Sequence, residues 1–152
     1  MRNQKKILIE QLDLKLKPFL AIKDIQVPER GWVFTIRTAL NMTLQQLGHK
    51  LKISTQGVKD IEKRELSGSI SIKSLTEVGK ALDMQFVYGF VPKNNSLVNY
   101  VELKSRELAE KIVRKNLNAA DENKKLSEDE LQKEIEDFAR EIKREIPKSL
   151  WD

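Results

Sequence analysis

Six polar side chains in the run QQLGHKLKISTQGVKDIEK, residues 45–63, have types and spacing suited to one chemistry. Gln45, Ser54, Thr55, Gln56 and the lysines Lys59 and Lys63 combine amides and hydroxyls with cations. Amides and hydroxyls match the donor and acceptor patterns of base edges, while lysines neutralise phosphates. Catalytic groups are scarce by comparison. The chain has one histidine, His49, and no cysteine, so thiolate nucleophiles, disulfides and thiolate metal sites are excluded. The six glycines are scattered and form no phosphate-cradling loop. Glu128-Asp129-Glu130 suits a helix start, where acidic side chains oppose the positive end of the helix dipole. No enzyme, no metal and no cofactor is expected; binding is.

These six residues need two helices to hold them. Thr43 can cap the first, with Gln46 three residues on as in a capping box, and Leu44, Leu47 and Leu51 form its apolar stripe. Ser54 can cap the second, which buries Val58 and Ile61, with Ile53 filling the corner. So short a turn forces the helices to cross steeply, the helix-turn-helix geometry. Gly48 falls at their closest approach. With the inner faces occupied, Ser54, Thr55, Gln56, Lys59 and Lys63 point outward, where they can enter a major groove. Gln45, at the start of the first helix, can hold a phosphate and set the register.

The rest of the chain frames that pair. Residues 5–16 (KKILIEQLDLKL) fit a helix with Leu8, Leu12 and Leu16, or Ile9 and Leu12, on one face; the alternation Leu12, Leu14, Leu16 also fits a strand. A helix over about 32–40 ends at Asn41, and another runs near 71–82 with Ile72, Leu75, Val78, Ala81 and Leu82 inward. FVYGFVP places Phe86, Tyr88 and Phe90 on one side of a strand that Pro92 ends, paired within the monomer or across a dimer. Helices over about 96–117 and 128–146 follow, the latter opened by a Ser127/Glu130 capping box. Trp32 and Trp151 read as core anchors, and Trp151 implies that PKSLWD docks onto the fold. The expected organisation is an N-terminal segment (1–30), a helix-turn-helix domain with a following strand (31–92) and a C-terminal helical partner-binding region (93–152).

Composition agrees with that outline. Hydrophobic residues make up 39% and aromatics 6%, so the core must be aliphatic; charged residues make up 34%, as on a soluble helical surface. No apolar run approaches the roughly 20 residues that span a bilayer, and the N-terminus lacks the features of a secretory signal. No membrane association and a cytoplasmic location are expected. Residues 1–100 hold 16 basic and 9 acidic side chains, whereas 101–152 hold 12 and 14. That asymmetry fits a polyanion-binding region beside one with another task, and equally a lysine-rich solvated surface.

The pattern LQQLGHKLKISTQGVKDIEK resembles the Xre/Cro family of phage-repressor-like DNA-binding domains over about residues 32–83. Lys52 departs from it, standing at a turn position where that family usually has glycine. The resemblance implies a mainly α fold: a five-helix helix-turn-helix domain, a short β-strand and a C-terminal helical extension. EQLDLKLKPF, RGWVFTIRTALNMTLQQL, FVYGFVPK and the terminal PKSLWD resemble, over nearly the whole chain, the family called mobile mystery protein A. That similarity implies an autorepressing antitoxin of a Fic-domain toxin, an AMP transferase, and the protein is expected to bind double-stranded operator DNA as a homodimer. Fic inhibitors carry a helix of pattern Ser/Thr-x-x-x-Glu-Gly/Asn, against which NAADEN aligns Asn118, Glu122 and Asn123. Asn118 departs from the hydroxyl position, and the same run reads equally as a solvated helix end. A plain dimeric repressor without a toxin partner, or a structural adaptor without DNA, are the competing readings.

Overall fold

Where capping signals and apolar periodicity coincide, the backbone is helical. The computed structural model describes residues 3–119 and 126–152. Among them are seven α-helices: α1 (Gln4–Leu16), α2 (Trp32–Ala39), α3 (Leu44–Leu51), α4 (Thr55–Ser67), α5 (Ile72–Ala81), α6 (Leu97–Ala119) and α7 (Glu128–Glu145). Short 3-10 turns follow α1 and α7, at Lys17–Ile22 and Lys148–Trp151. The mainly α class therefore holds. Thr43 and Ser127 each open a helix with a complete capping box, and Ser54 and Ser71 cap α4 and α5. Asn41 takes the left-handed conformation just past α2, as a helix stop requires.

The chain divides into two compact units, which differ from three consecutive segments. Asp24–Tyr88 forms one; Met1–Lys23 joins Gly89–Asp152 in the other. The central unit holds α2–α5, four helices rather than five, because α1 packs on α6. Its core is Val33, Leu47, Val58 and Val78, with Leu44, Leu51, Ile61 and Leu75 packed around them. The unit made from both chain ends is built on the antiparallel pair α6–α7, which buries Val101, Ala109, Val113, Leu131, Ile135 and Ile142. Arg106–Glu136 and Lys143–Glu102 pairs at 3.7 and 3.6 Å join the two helices across their antiparallel faces.

In this second unit α1 holds both of its neighbours by their ends. The Asp13 carboxylate accepts from the backbone N–H groups of Leu97 and Val98 at 2.7 and 3.1 Å, satisfying the first turn of α6. The amide of Asn3 donates to the Arg144 carbonyl, and Lys5 Nζ donates to the Glu145 carbonyl at 2.8 Å, at the far end of α7. Ile9 packs against the core while Leu8 and Leu12 stay exposed, so neither expected face of α1 is buried whole.

Four other expectations are corrected. Residues 84–92 form no strand, and no β-ladder occurs among the described residues. A strand exists only where backbone groups pair, and this stretch finds no such partner among the described residues. Its side chains do keep the expected side, with the Phe86 and Tyr88 rings stacked 6.0 Å apart. Trp32 is 43% exposed and Trp151 is 49% exposed, so neither anchors a core. Trp151 stacks on Tyr100 of α6 at 5.4 Å, and its neighbour Leu150 is the buried residue that docks the C-terminal turn. Ile53 is 40% exposed; it shields Gly57 rather than filling a buried corner. Finally, the charge contrast between the two halves of the sequence vanishes between the units. Asp24–Tyr88 carries 9 basic and 7 acidic side chains, the other unit 19 and 16. The basic N-terminal residues belong with the C-terminal helices, so any preference for a polyanion must arise from a local face.

Candidate nucleic-acid interface

That face is assembled by α3 and α4. Three residues join them, and Lys52 turns the chain through a left-handed conformation at φ 59° and ψ 40°. Its N–H reaches back to the Gly48 and His49 carbonyls, and the Ile53 N–H bonds the Gly48 carbonyl at 2.9 Å. A Cβ at Gly48 would stand 2.8 Å from the Ile53 carbonyl oxygen. Glycine is thus demanded by the returning turn itself, a closer obstacle than the facing helix.

The inner side of α4 is spent on α2. Glu62 receives the Arg37 guanidinium, Nε to Oε1 at 2.6 Å, and the two side chains are 13% and 9% exposed. Arg37 also donates to the Met42 carbonyl at 2.9 Å. One turn on, Glu65 accepts from the backbone N–H groups of Trp32 and Val33 at 2.6 and 2.9 Å, capping α2 from a distance. Gly31, at φ 84°, leaves room for that carboxylate, since a Cβ there would lie 2.9 Å from it. Val58, Ile61, Glu62 and Glu65 therefore fix the rotation of α4 about its axis.

The outer side follows from that rotation. Thr55, Gln56, Lys59 and Lys63 are all exposed on it, as are Ser54 and, on the first turn of α3, Gln45. Ser54 is already engaged, because its hydroxyl oxygen accepts from the Gly57 N–H at 3.0 Å. It positions the helix start and is less available to a ligand than the sequence suggests. Gln45 lines a shallow hollow with His49, Lys50 and Asn41.

One member of this face was missed in the sequence. Asp60 stands one turn from Gln56 and accepts from its amide, Nε2 to Oδ1 at 3.1 Å. The four-residue spacing of a glutamine and an aspartate is the signal that could have found it. The bond orients the amide along the helix, and the carboxylate places a negative charge beside Gln56. No group of three or more His, Cys, Asp or Glu side chains placed to hold a metal occurs among the described residues.

Of the residues aligned with a Fic-inhibitory helix, Asn118 is exposed in the last turn of α6. Glu122 and Asn123 lie outside the described residues. No helix among the described residues is long and apolar enough to cross a membrane. No protein-family model, no curated protein and no solved structure matches the chain.

Proposed function

We propose that the chain is a non-enzymatic, cytoplasmic DNA-binding regulator whose α4 enters the major groove of an operator. The observation that carries this reading is the division of labour on α4. Glu62 and Glu65 are consumed in holding α2, which leaves Thr55, Gln56, Lys59 and Lys63 together in solvent. Gln56 reads a base edge, Lys59 and Lys63 meet phosphates, and Gln45 sets the register from α3. One such helix contacts too little DNA for high specificity, so the operator is two-fold symmetric and the protein acts as a homodimer. The exposed Leu8 and Leu12 of α1 and the exposed Val87, Tyr88 and Phe90 supply apolar surface for that association. DNase footprinting of the region upstream of its own gene tests the proposal. A protected palindrome supports it, and uniform, sequence-independent protection would overturn it.

The resemblance to mobile mystery protein A supports a second role, as the antitoxin of a Fic-domain toxin. In that role Glu122, with Asn118 and Asn123, occupies the place of a nucleotide phosphate by charge-assisted hydrogen bonding to a Fic arginine. Co-expression with the Fic-domain partner tests it. Glu122→Gly should restore nucleotide transfer while the complex still co-purifies. If that variant silences the partner fully, Glu122 is an ordinary glutamate. A failure to co-purify would leave a plain dimeric repressor.

A further inference from the structure

Helix α4 carries three carboxylates, and the fold uses two of them. Glu62 holds the Arg37 guanidinium, and Glu65 holds the first N–H groups of α2. Asp60 has no such task. It is exposed, and among the described residues it joins no ion pair and accepts only from its own helix, from Gln56 Nε2 at 3.1 Å. An exposed glutamine–aspartate bond one turn apart adds little to a helix. Yet this anion stands on the face that is to meet a polyanion, where phosphates repel it. Stability does not account for it; selectivity does.

We propose, resting on the DNA-binding reading above, that Asp60 is a specificity-determining residue. With Gln56 it selects a base bearing an exocyclic amino group, cytosine above all, at one position of each operator half-site. A carboxylate only accepts hydrogen bonds, so the Gln56 amide must turn its NH2 toward Asp60. That fixes which way round the amide sits and spends one of its two N–H bonds. Gln56 Oε1 and Asp60 Oδ2 are left as open acceptors. In the major groove the base-edge donors are the amino groups of adenine N6 and cytosine N4, whereas guanine O6 and thymine O4 are acceptors. A carboxylate pressed against either oxygen loses its water and gains no partner. Cytosine is preferred to adenine because adenine N7, beside N6, is a further acceptor that repels the second carboxylate oxygen. Four residues advance a helix by about 6 Å, less than two base-pair steps, so both side chains bear on the same or neighbouring pairs. Every base pair has one amino and one keto base. What Asp60 reads is therefore which strand carries the amino group.

Selection from a random duplex library tests this, using the full chain and Asp60→Ala, with urea midpoints to show that the fold is kept. The wild-type half-site should contain one cytosine column with adenine as its best replacement. Guanine or thymine there should weaken binding at least about tenfold by fluorescence anisotropy. In Asp60→Ala that discrimination should fall below about threefold, while the other columns and the urea midpoint persist. The isosteric Asp60→Asn, which donates as well as accepts, should admit guanine or thymine at the same column. A half-site motif unchanged in Asp60→Ala would overturn the proposal, as would loss of all columns together at an unchanged midpoint. Enrichment of no sequence by the wild-type chain would sink the DNA-binding reading itself, and this assignment with it.

Discussion

Two neighbouring residues in the α3–α4 turn pull in opposite directions. Gly48 is the residue that lets the turn close, because a side chain would strike the Ile53 carbonyl. Gly48→Val should therefore cost about 1–3 kcal/mol, read as a lower urea midpoint at unchanged slope. Lys52 holds a left-handed backbone that a Cβ disfavours by roughly 1–2 kcal/mol. Lys52→Gly relieves this but frees the unfolded chain, so a net gain of about 0.5–1 kcal/mol is expected in the same urea experiment. A lower midpoint would show that the lysine side chain supports the turn. On the outer face, Gln56→Ala/Lys59→Ala should weaken operator binding by about 1–3 kcal/mol per lost contact, while Gln56→Ala alone leaves the salt slope unchanged. Asp60→Asn should raise affinity for non-operator DNA, measured by fluorescence anisotropy, because it removes a charge that repels phosphate. Gly48, Lys52 and the outward set were readable in the sequence, since helical periodicity fixes direction once the inner face is known. The Asp60 bond was not, because exposure alone does not say which polar neighbours touch.

At the scale of elements, helix starts were legible wherever the cap lies within three residues. Thr43, Ser54, Ser71 and Ser127 all accept from nearby backbone N–H groups. The starts of α2 and α6, expected near residues 32 and 96, were legible too, and Ser96 caps α6 locally by accepting from the Asn99 N–H at 3.0 Å. What the sequence hid are the carboxylates that also hold these starts, Glu65 and Asp13, which are 33 and 84 residues away from the first N–H group each one accepts. Each was indistinguishable in sequence from a solvated carboxylate on a helix. Glu65→Ala and Asp13→Ala should each cost about 1–2 kcal/mol by leaving two N–H groups unpaired. Arg37→Ala should cost more, about 3–5 kcal/mol, since it strands the shielded Glu62 carboxylate. Urea unfolding of the three variants checks that order; an Arg37→Ala penalty below that of Glu65→Ala would contradict it. The strand over residues 86–92 failed for a related reason. Alternation in the sequence specifies sides, and it cannot supply the neighbouring backbone that makes a strand.

For the whole molecule, the grouping of chain ends matters more than the boundaries of any helix. Residues 1–23 contribute Asp13 to the start of α6 and Asn3 and Lys5 to the end of α7. Removing them should lower the thermal midpoint of the α6–α7 unit while the Asp24–Tyr88 unit keeps its own, two transitions that calorimetry can separate. Coincident loss of both would show that the units fold as one. The sequence hid this grouping because nothing local marks a contact across 141 residues, the separation of Asn3 and Arg144. A ribosome meets the same asymmetry in time. The Asp24–Tyr88 unit is contiguous and can close while the chain is still being made, at about 5–20 residues per second. The other unit must wait for its last helix, with α1 held in reserve while the Asp24–Tyr88 unit is made. A nascent chain thus acquires its α3–α4 pair before α1, α6 and α7 come together, and truncated products would possess the first without the second.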